Sequence, residues 1–368
     1  MRILVAGAGP AGLYFAYLAK RAHPDWDIRV VEQNRADSTF GFGVVFSDRA
    51  LEFLRGDDPQ TYALITPAMQ AWTDLTVVHR GMPVVIDGIG FAAIGRLAFL
   101  QLLQRQTESV GVRVSFRTAI HSPNDFKDYD LVVAADGANS TLRGMADFGT
   151  SVTPLTNKFA WYGTSKPFRT LTQTFVENAH GTFNAHHYRH SPDMSTFVFE
   201  CDAATWQRSG LATMGESETL AFCEQVFAEA LQGHRLVSNN SIWRNFPNVR
   251  NRRWAAGNMV LIGDALRTAH FSVGSGTRLA MEDAIALAKA LSEHSTLQEG
   301  LAAFEVARRP IVEKLVAAAD ASGAWYERFP EHMRLAPRDF AWSYIQRSGR
   351  VDPGRLSRIS PKFVEGST

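Results

Sequence analysis

The chain has 368 residues, 45% of them hydrophobic and 20% charged, with a formal net charge of +1. That length can bury one large core or two closely packed ones, and the near-neutral balance excludes bulk attraction to nucleic acid or to an anionic membrane surface, though not a local basic pocket. The two cysteines, Cys201 and Cys223, form no CxxC pair and read as reduced thiols of a cytoplasmic protein, and no apolar run reaches the ~18 residues that would predict a membrane span.

Ile3 to Ala6 reads as a buried strand, a short apolar run bounded by glycine. It lacks the basic flank and cleavage site of a signal peptide. Gly7-Ala8-Gly9-Pro10-Ala11-Gly12 follows, then a predicted helix from Leu13 to Arg21 and a strand from Ile28 to Val31 ended by Glu32. In such a unit Gly7 permits the tight turn, Gly9 leaves room for a pyrophosphate at the helix N-terminus, and Gly12 lets helix and strand pack closely. Glu32 lies 20 residues beyond Gly12, where a carboxylate can accept from ribose hydroxyls. The complete strand–turn–helix–strand–acid context predicts dinucleotide binding without separating FAD from NAD.

Phe40 to Phe46, rich in glycine and aromatics, reads as a loop. Leu75 to Val78 and Val84 to Ile86 pair around the turn Arg80-Gly81-Met82-Pro83. A helix is predicted from Arg96 to Ser109, and parallel-type strands at Val112 to Phe116 and Leu131 to Ala135. The last runs into Asp136-Gly137, with Ser140 and Arg143 beyond. From Phe159 to Cys201 the aromatic, β-branched segments predict an antiparallel sheet in a separate layer. There His186 and Tyr188 alternate with Ala185 and His187 and so share a strand face, either lining a substrate cavity or serving as hydrogen-bonded sheet residues.

A helix from Glu216 to Leu231 follows, and Val260 to Ile262 returns to a buried strand. This strand leads into Gly263-Asp264-Ala265 and then Gly274-Ser275-Gly276, which opens a helix bearing Glu282 and Asp283. An acid at a strand end can bind sugar hydroxyls, and a glycine pair at a helix start can offer N–H groups to an electron-rich ring edge. Ala280 to about Gln346 is mostly helical, and no His/Cys/Asp cluster is spaced for a metal. The order predicts an α/β fold: a discontinuous nucleotide-binding domain interrupted by a mostly antiparallel sheet, with a C-terminal helical region.

In order and separation, the three glycine-acid segments resemble the GxGxxG, DG and GD motifs of para-hydroxybenzoate-hydroxylase-like FAD monooxygenases, and the resemblance covers the whole chain. It implies a Rossmann-like FAD-binding domain in three parts, 1–70, 93–155 and 251–296. A hairpin, 71–92, and an antiparallel-sheet domain, 156–250, would serve the substrate, and 297–368 would be the helical region. Gly7, Gly9, Pro10, Ala11, Gly12 and Glu32 would hold the ADP half of FAD, and Arg96 would open a helix that contacts the flavin. Asp136 and Gly137 would lie near the NAD(P)H approach, Asp264 on the ribityl chain, and Gly274, Ser275, Gly276 and Thr277 against the isoalloxazine. The implied cycle uses NADH or NADPH to reduce FAD, and O2 to form a flavin hydroperoxide that attacks an electron-rich ring. The site would lie between the flavin and the antiparallel sheet.

Narrower resemblances follow. Phe40 to Asp48, Gly263 to Gly276 and Ser343 to Asp352 resemble the aryl-CoA branch, namely the salicylyl-CoA 5-hydroxylases and the monooxygenase half of the 2-aminobenzoyl-CoA monooxygenase/reductases. Trp161 to Ser165 is similar to the tryptophan-derivative hydroxylases of violacein biosynthesis. His270 and Phe271 stand where the wider family has prolines, fit the aryl-CoA branch, and are the implied catalytic contacts with ring and flavin. Phe42, Val44, His186, Tyr188, Arg347 and Arg350 complete the expected substrate contacts. Arginines at 244, 250, 252 and 253, and at 347, 350, 355 and 358, could meet CoA phosphates or make surface ion pairs.

Arg267 replaces the family's histidine, which leaves the charge over the flavin open, and no general base is assigned. The implied substrate is an aryl-CoA thioester. A free aromatic acid or an indole-derived metabolite is the alternative, and an FAD dehydrogenase or oxidase the second. The WxWxIP signature of flavin halogenases is absent; the nearest string is Trp243-Arg244-Asn245-Phe246-Pro247. The expected partners are the small aromatic substrate and O2, with no nucleic acid and no membrane, in a monomer or homodimer. No second, ring-reducing reductase domain is expected.

Overall fold

A computed structural model describes residues 1–366, which fall into two compact units. The first comprises 1–38, 97–153 and 247–319; the second comprises 39–96, 154–246 and 320–366. These boundaries shift by two to four residues at 93–96, 154–155 and 247–250 relative to those read off the sequence, and by longer stretches in two places. Residues 39–70 group with the second unit because Gly43–Ser47 and Gln70–Trp72 both pair with Phe91–Gly95 in a three-stranded sheet. Residues 297–319 group with the first, where Phe304 packs against Trp254 with ring centroids 5.5 Å apart.

The first unit is built on a six-stranded sheet. Its order is Ala255–Ala256, Met259–Leu261, Leu131–Ala134, Arg2–Ala6, Asp27–Glu32 and Arg113–Phe116, parallel except at the first pair. Strands covered on both faces need apolar residues at consecutive positions, and Ile3 to Ala6 and Leu131 to Ala134 are all buried. The helix Pro10–Ala22 follows the first strand after one glycine turn. Proline at its first turn costs no hydrogen bond there, and Lys20 and Arg21 in its last turn suit the helix dipole.

The second unit carries the larger sheet. Its path runs Leu236–Ser238, Thr150–Thr164, Ser195–Cys201, Gly181–Arg189, Leu171–Asn178, Leu75–His79 and Met82–Ile86. It is antiparallel except where Leu171–Asn178 runs parallel to Leu75–His79. Arg80 and Gly81, both with positive φ, turn the last hairpin as a two-residue loop requires. Register sorts the faces, because residues directly opposite across a ladder point the same way. Trp161, Val198, His186, Gln173 and Val77 form one row, and Phe159, Glu200, Asn184 and Phe175 the next.

The other face carries Tyr162, Phe183, Ala185, Phe197 and Phe199, buried against Cys223, Phe227 and Leu231 of the helical segment that follows the sheet. That segment is two helices, Glu216–Val226 and Ala228–Leu231, rather than the single predicted one. The break falls at Phe227, whose ring packs on Phe197 and Phe199.

Phe40 to Phe46 is not wholly a loop. Gly43–Ser47 is a strand with Val44 and Phe46 buried, a period-two pattern that the surrounding glycines obscure. Residues 320–366 pack Trp325, Tyr326, Phe329, Phe340 and Tyr344 around Phe175, whose ring lies 4.6 Å from that of Phe340. Among the described residues no helix is long and apolar enough to cross a membrane, and no group of three His, Cys, Asp or Glu could hold a metal ion.

Candidate active site

In the first unit the three motif loops stand at the ends of neighbouring strands. Gly7 has φ +109°, and a Cβ built there would lie 2.3 Å from the Ala135 carbonyl oxygen; one on Gly12 would lie 2.0 Å from Gly7 O. Gly9 differs. Its backbone is extended (φ −81°, ψ −179°), and an added Cβ meets nothing within 4 Å. The same open space stands above Gly137 and above Gly276, which begins the helix Gly276–Glu293 behind its N-cap Ser275 and the αL residue Gly274. Two helix N-termini and three uncovered glycines make a cradle for a phosphate-bearing, ring-bearing group, so these residues fit FAD.

Glu32 fixes this cradle from the second strand. Its Oε2 accepts from Ala8 N (3.0 Å), and its Oε1 from Asn34 N and Nδ2 (2.9 and 2.7 Å). A carboxylate offers roughly four acceptor positions, so capacity remains for a ribose hydroxyl. Asp136 serves its own loop, accepting from Ser140 Oγ (2.5 Å), Thr141 N (2.8 Å) and Leu142 N (3.1 Å). Pro10, Ala11 and Gly12 form the first helical turn, and Thr277 is partly exposed in the first turn of its helix.

Sequence reasoning gave Arg143 no role. Its guanidinium is buried and donates from Nη2 to Ala138 O (2.7 Å) and from Nη1 to Ala265 O (2.9 Å). It thereby ties the loop after Asp136 to the loop around Asp264. Nothing local could have revealed this, because both acceptors are backbone carbonyls and one is 122 residues away.

Asp264 is exposed between buried Gly263 and Ala265, so the loop presents its carboxylate outward. Beneath it lies a buried charge network. Gly263 N donates to Asp283 Oδ2 (3.1 Å), and Arg267 Nη1 donates to Gly263 O (2.7 Å). Arg267 Nη2 stands 2.7 Å from Asp283 Oδ2 as an ion pair, although its alignment falls short of a hydrogen bond. Arg308 bonds Asp283 Oδ1 and Glu282 Oε2, and Arg278 bonds Glu282 Oε1. Arg267 is therefore a buried partner of Asp283 that braces the loop, which answers the charge question it raised.

The exposed placement of Asp264 gives a direct expectation. Asp264→Ala should fold normally and weaken FAD binding about 10- to 100-fold, the worth of a charge-assisted hydrogen bond to sugar hydroxyls. Titration of the apo-protein with FAD measures it; an unchanged dissociation constant would leave Asp264 as a turn residue only.

His270 is buried, its Nδ1 lying 2.7 Å from Ser272 Oγ and accepting from Ser272 N (3.4 Å). Its ring stacks on Phe271 at 4.3 Å, and of the two Phe271 is the more exposed.

In the second unit a buried polar chain crosses the Trp161 face of the sheet. The Tyr326 hydroxyl donates to Gln173 Oε1 (3.0 Å), which turns the Gln173 amide NH2 toward His186 Nδ1 (3.0 Å). His186 must then carry its proton on Nε2, facing Glu200 Oε2 at 3.3 Å, while Asn157 Nδ2 donates to Glu200 Oε1 (3.0 Å). Burial, aided by the nearby Arg347 charge, pushes His186 down to about 3, so its contact with Glu200 is a hydrogen bond donated by a neutral imidazole rather than an ion pair. Tyr188 shares this face and donates to Gly43 O (3.0 Å). Both residues are thus hydrogen-bonded sheet residues. On the opposite face His187 bonds Thr174 Oγ1 (2.9 Å) and is held near 3, chiefly by burial.

Arg347 is placed differently from the expectation of a phosphate contact at a pocket mouth. Its guanidinium lies 3.8 Å from the Tyr344 ring centroid and donates to Tyr344 O (2.7 Å), beside Tyr326 and the polar chain. Arg350 is exposed. Of the other cluster, Arg250 donates to Val249 O and Thr268 O, and Arg253 pairs with Asp147. Arg96 is partly exposed, and its backbone N donates to Phe42 O (2.7 Å). Phe42 is partly exposed, whereas Val44 is buried.

A family model described as FAD binding domain matches residues 100–319. Salicyloyl-CoA 5-hydroxylase of Streptomyces sp. is 42% identical over 99% of this chain and 73% of its own length. A 3-hydroxy-4-methyl-anthranilyl-[aryl-carrier protein] 5-monooxygenase of Streptosporangium sibiricum is 39% identical over 90% of both chains. Protodeoxyviolaceinate monooxygenase of Chromobacterium violaceum is 35% identical over 96% of both. Among solved structures, a variant of 2-methyl-3-hydroxypyridine-5-carboxylic acid oxygenase superposes with a TM-score of 0.72 at 18% identity, covering 97% of this chain and 96% of that one; the likeness is one of fold.

Proposed function

We propose that this chain, which belongs to the FAD binding domain family and is a flavoprotein monooxygenase of aromatic rings, takes its ring as an acyl thioester and NADH or NADPH as reductant. The observation that carries the thioester is the 42% identity, over 99% of the chain, with a hydroxylase whose substrate is a CoA ester. A second relative acts on an anthranilyl group attached to an aryl-carrier protein. The alternative reading, a free aromatic acid or an indole-derived metabolite, is favoured by the protodeoxyviolaceinate monooxygenase relative at 35% identity.

FAD, when bound, supplies the redox chemistry with O2. The protein's part is binding and orientation. Gly9 and the helix starts at Pro10 and Gly276 would receive phosphate and ring edge, and Glu32 and Asp264 would receive sugar hydroxyls. Arg143 and the Asp283 network tie these loops together without help from the cofactor. On the larger sheet the aromatic face of Phe42 and Trp161 would stack on the ring, and the hydrogen-bonded chain around the neutral His186 imidazole fixes the side chains beside it. Exposed Arg350 and Arg358 are the solvent-facing cations of their cluster that would meet a CoA phosphate.

The test is a comparison of salicylyl-CoA and 2-aminobenzoyl-CoA with salicylate, anthranilate and tryptophan derivatives, following NAD(P)H, O2 and hydroxylated product. We expect the thioesters to exceed the free acids in kcat/KM by at least about tenfold, the equivalent of ~1.4 kcal/mol. Hydroxylation of free acids or indoles alone would overturn the thioester reading. Flavin reduction by the organic substrate itself would mark a dehydrogenase.

A further inference from the structure

The segment Thr39–Gly43 is held by its carbonyls. Asn239 Nδ2 donates to both Thr39 O and Gly41 O at 3.1 Å, Arg96 N to Phe42 O at 2.7 Å, and the Tyr188 hydroxyl to Gly43 O at 3.0 Å. The orientation of the Asn239 amide is fixed by chemistry, since its flipped form would set an oxygen against two carbonyl oxygens. Asn239 is itself anchored to the sheet: its N donates to Ser241 Oγ (3.2 Å), and Ser241 Oγ bonds the Trp161 carbonyl. Four carbonyls in five residues are thus tied to the sheet, to its Asn239 edge and to the start of the Arg96 helix.

The side chains explain what this fixation serves. A Cβ built on Gly163 would fall 2.4 Å from Phe42 Cε1 and 2.5 Å from Cδ1, so the Phe42 ring lies directly on the strand where Gly163 has no side chain. Gly163 has ordinary extended backbone, so its lack of a side chain serves the ring and not a turn. Gly41 lies over the Trp161 indole, 3.7 Å from Cγ for its built Cβ. Trp161 in turn meets Phe159 edge-on at 5.2 Å, on the same sheet face. Phe42 and Trp161 are partly exposed and Phe40 is 50% exposed, so this aromatic surface is presented rather than wholly consumed by the core.

We propose that Thr39–Gly43 is a fixed aromatic wall for the substrate ring, that Phe42 sets the ring size admitted, and that Asn239 and Gly163 are the positioning residues that hold Phe42 there. This rests on the reading of the chain as an aromatic hydroxylase, and it deepens that reading by assigning ring-size selection to one surface. A wall pinned by four hydrogen bonds to its backbone carbonyls would resist retreat, and so favours a single planar ring over a fused pair.

The experiment measures kcat/KM for hydroxybenzoyl-CoA and hydroxynaphthoyl-CoA with the holoenzyme and with Phe42→Ala, Phe42→Leu, Asn239→Ala, Asn239→Asp, Gly163→Ala and the double variant Gly163→Ala/Phe42→Ala. FAD content and melting temperature accompany each. Wild type should prefer the single ring. Phe42→Ala should shift the two-ring to one-ring ratio upward by about tenfold or more, the worth of a lost steric barrier in an apolar pocket. Phe42→Leu, which keeps more of the fold's contacts, should shift it less. Both Asn239 variants should move it the same way, with Asp at least as strong as Ala because its carboxylate faces two carbonyl oxygens.

Gly163→Ala should lower single-ring kcat/KM by about tenfold with Phe42 present and by less than about twofold in the Phe42→Ala background, a coupling expected only of residues in contact. Unchanged ratios in folded, FAD-loaded variants, or an equal Gly163→Ala effect in both backgrounds, would overturn the proposal. If wild type turns over free acids or indoles instead of thioesters, the same one-ring and two-ring pair is run in that form. The wall is then judged on its own, and only the thioester reading falls.

Discussion

Gly9→Val protein is expected to purify folded and colourless. The substitution leaves the backbone undisturbed. Gly9 has φ −81° and extended ψ, which valine adopts readily, and its built Cβ meets no protein atom within 4 Å. As the N-cap of Pro10–Ala22 it makes no side-chain hydrogen bond, so the helix loses at most about 1 kcal/mol. The space above it is where a pyrophosphate would reach the first helical turn, and a branched side chain fills that space. Retained flavin should fall below about one-hundredth of wild-type affinity, a loss of ~2.7 kcal/mol or more. The measurement is flavin absorbance per chain after desalting, with FAD titration of the apo-protein.

Gly12→Val supplies the contrast, since its Cβ would lie 2.0 Å from Gly7 O and the fold itself should suffer. Full flavin content in Gly9→Val would refute the assignment of this loop.

The second large effect is on stability. Arg308→Ala removes the guanidinium that bonds Asp283 Oδ1 through Nε (3.3 Å) and Nη2 (3.1 Å) and Glu282 Oε2 through Nη1 (2.9 Å). Asp283 is fully buried and Glu282 nearly so. Two buried carboxylates would then rely on Arg267 and Arg278, and an under-compensated buried charge costs about 3–5 kcal/mol. Arg308→Lys keeps the charge but loses the planar fork, so its loss should be intermediate. Because Gly263 N donates to Asp283, the change should also loosen the loop bearing Asp264 and weaken FAD binding further than stability alone requires. Denaturant unfolding and FAD titration measure the two parts. A stability loss under about 1 kcal/mol for Arg308→Ala would show that water or rearrangement satisfies Asp283 as well as Arg308 does.

Short periods and backbone exceptions were legible in the residues alone. The consecutive apolar residues of Ile3 to Ala6 and Leu131 to Ala134 mark doubly covered strands, and both lie in the parallel sheet. The turn at Arg80-Gly81 and the positive φ at Gly7 are needed by local turn geometry, and Gly12 by the Gly7 carbonyl five residues before it. His186 and Tyr188 share a face because side chains alternate along any strand.

The partners of the polar groups emerged only with the folded chain. Whether His186 would line a cavity or sit satisfied depended on the register that sets Gln173 opposite it and Glu200 diagonally across. Arg347, expected at a CoA phosphate, instead folds back on Tyr344 three residues earlier, and packing then sets it beside Tyr326. Arg143, Asn239 and the Arg308–Asp283 pair act on groups 5 to 200 residues away in the chain, several of them backbone carbonyls that carry no sequence signal. Local periodicity is a property of a window of residues. The satisfaction of a buried charge or carbonyl is a property of what packing brings to it, and it is fixed only when the whole chain has folded.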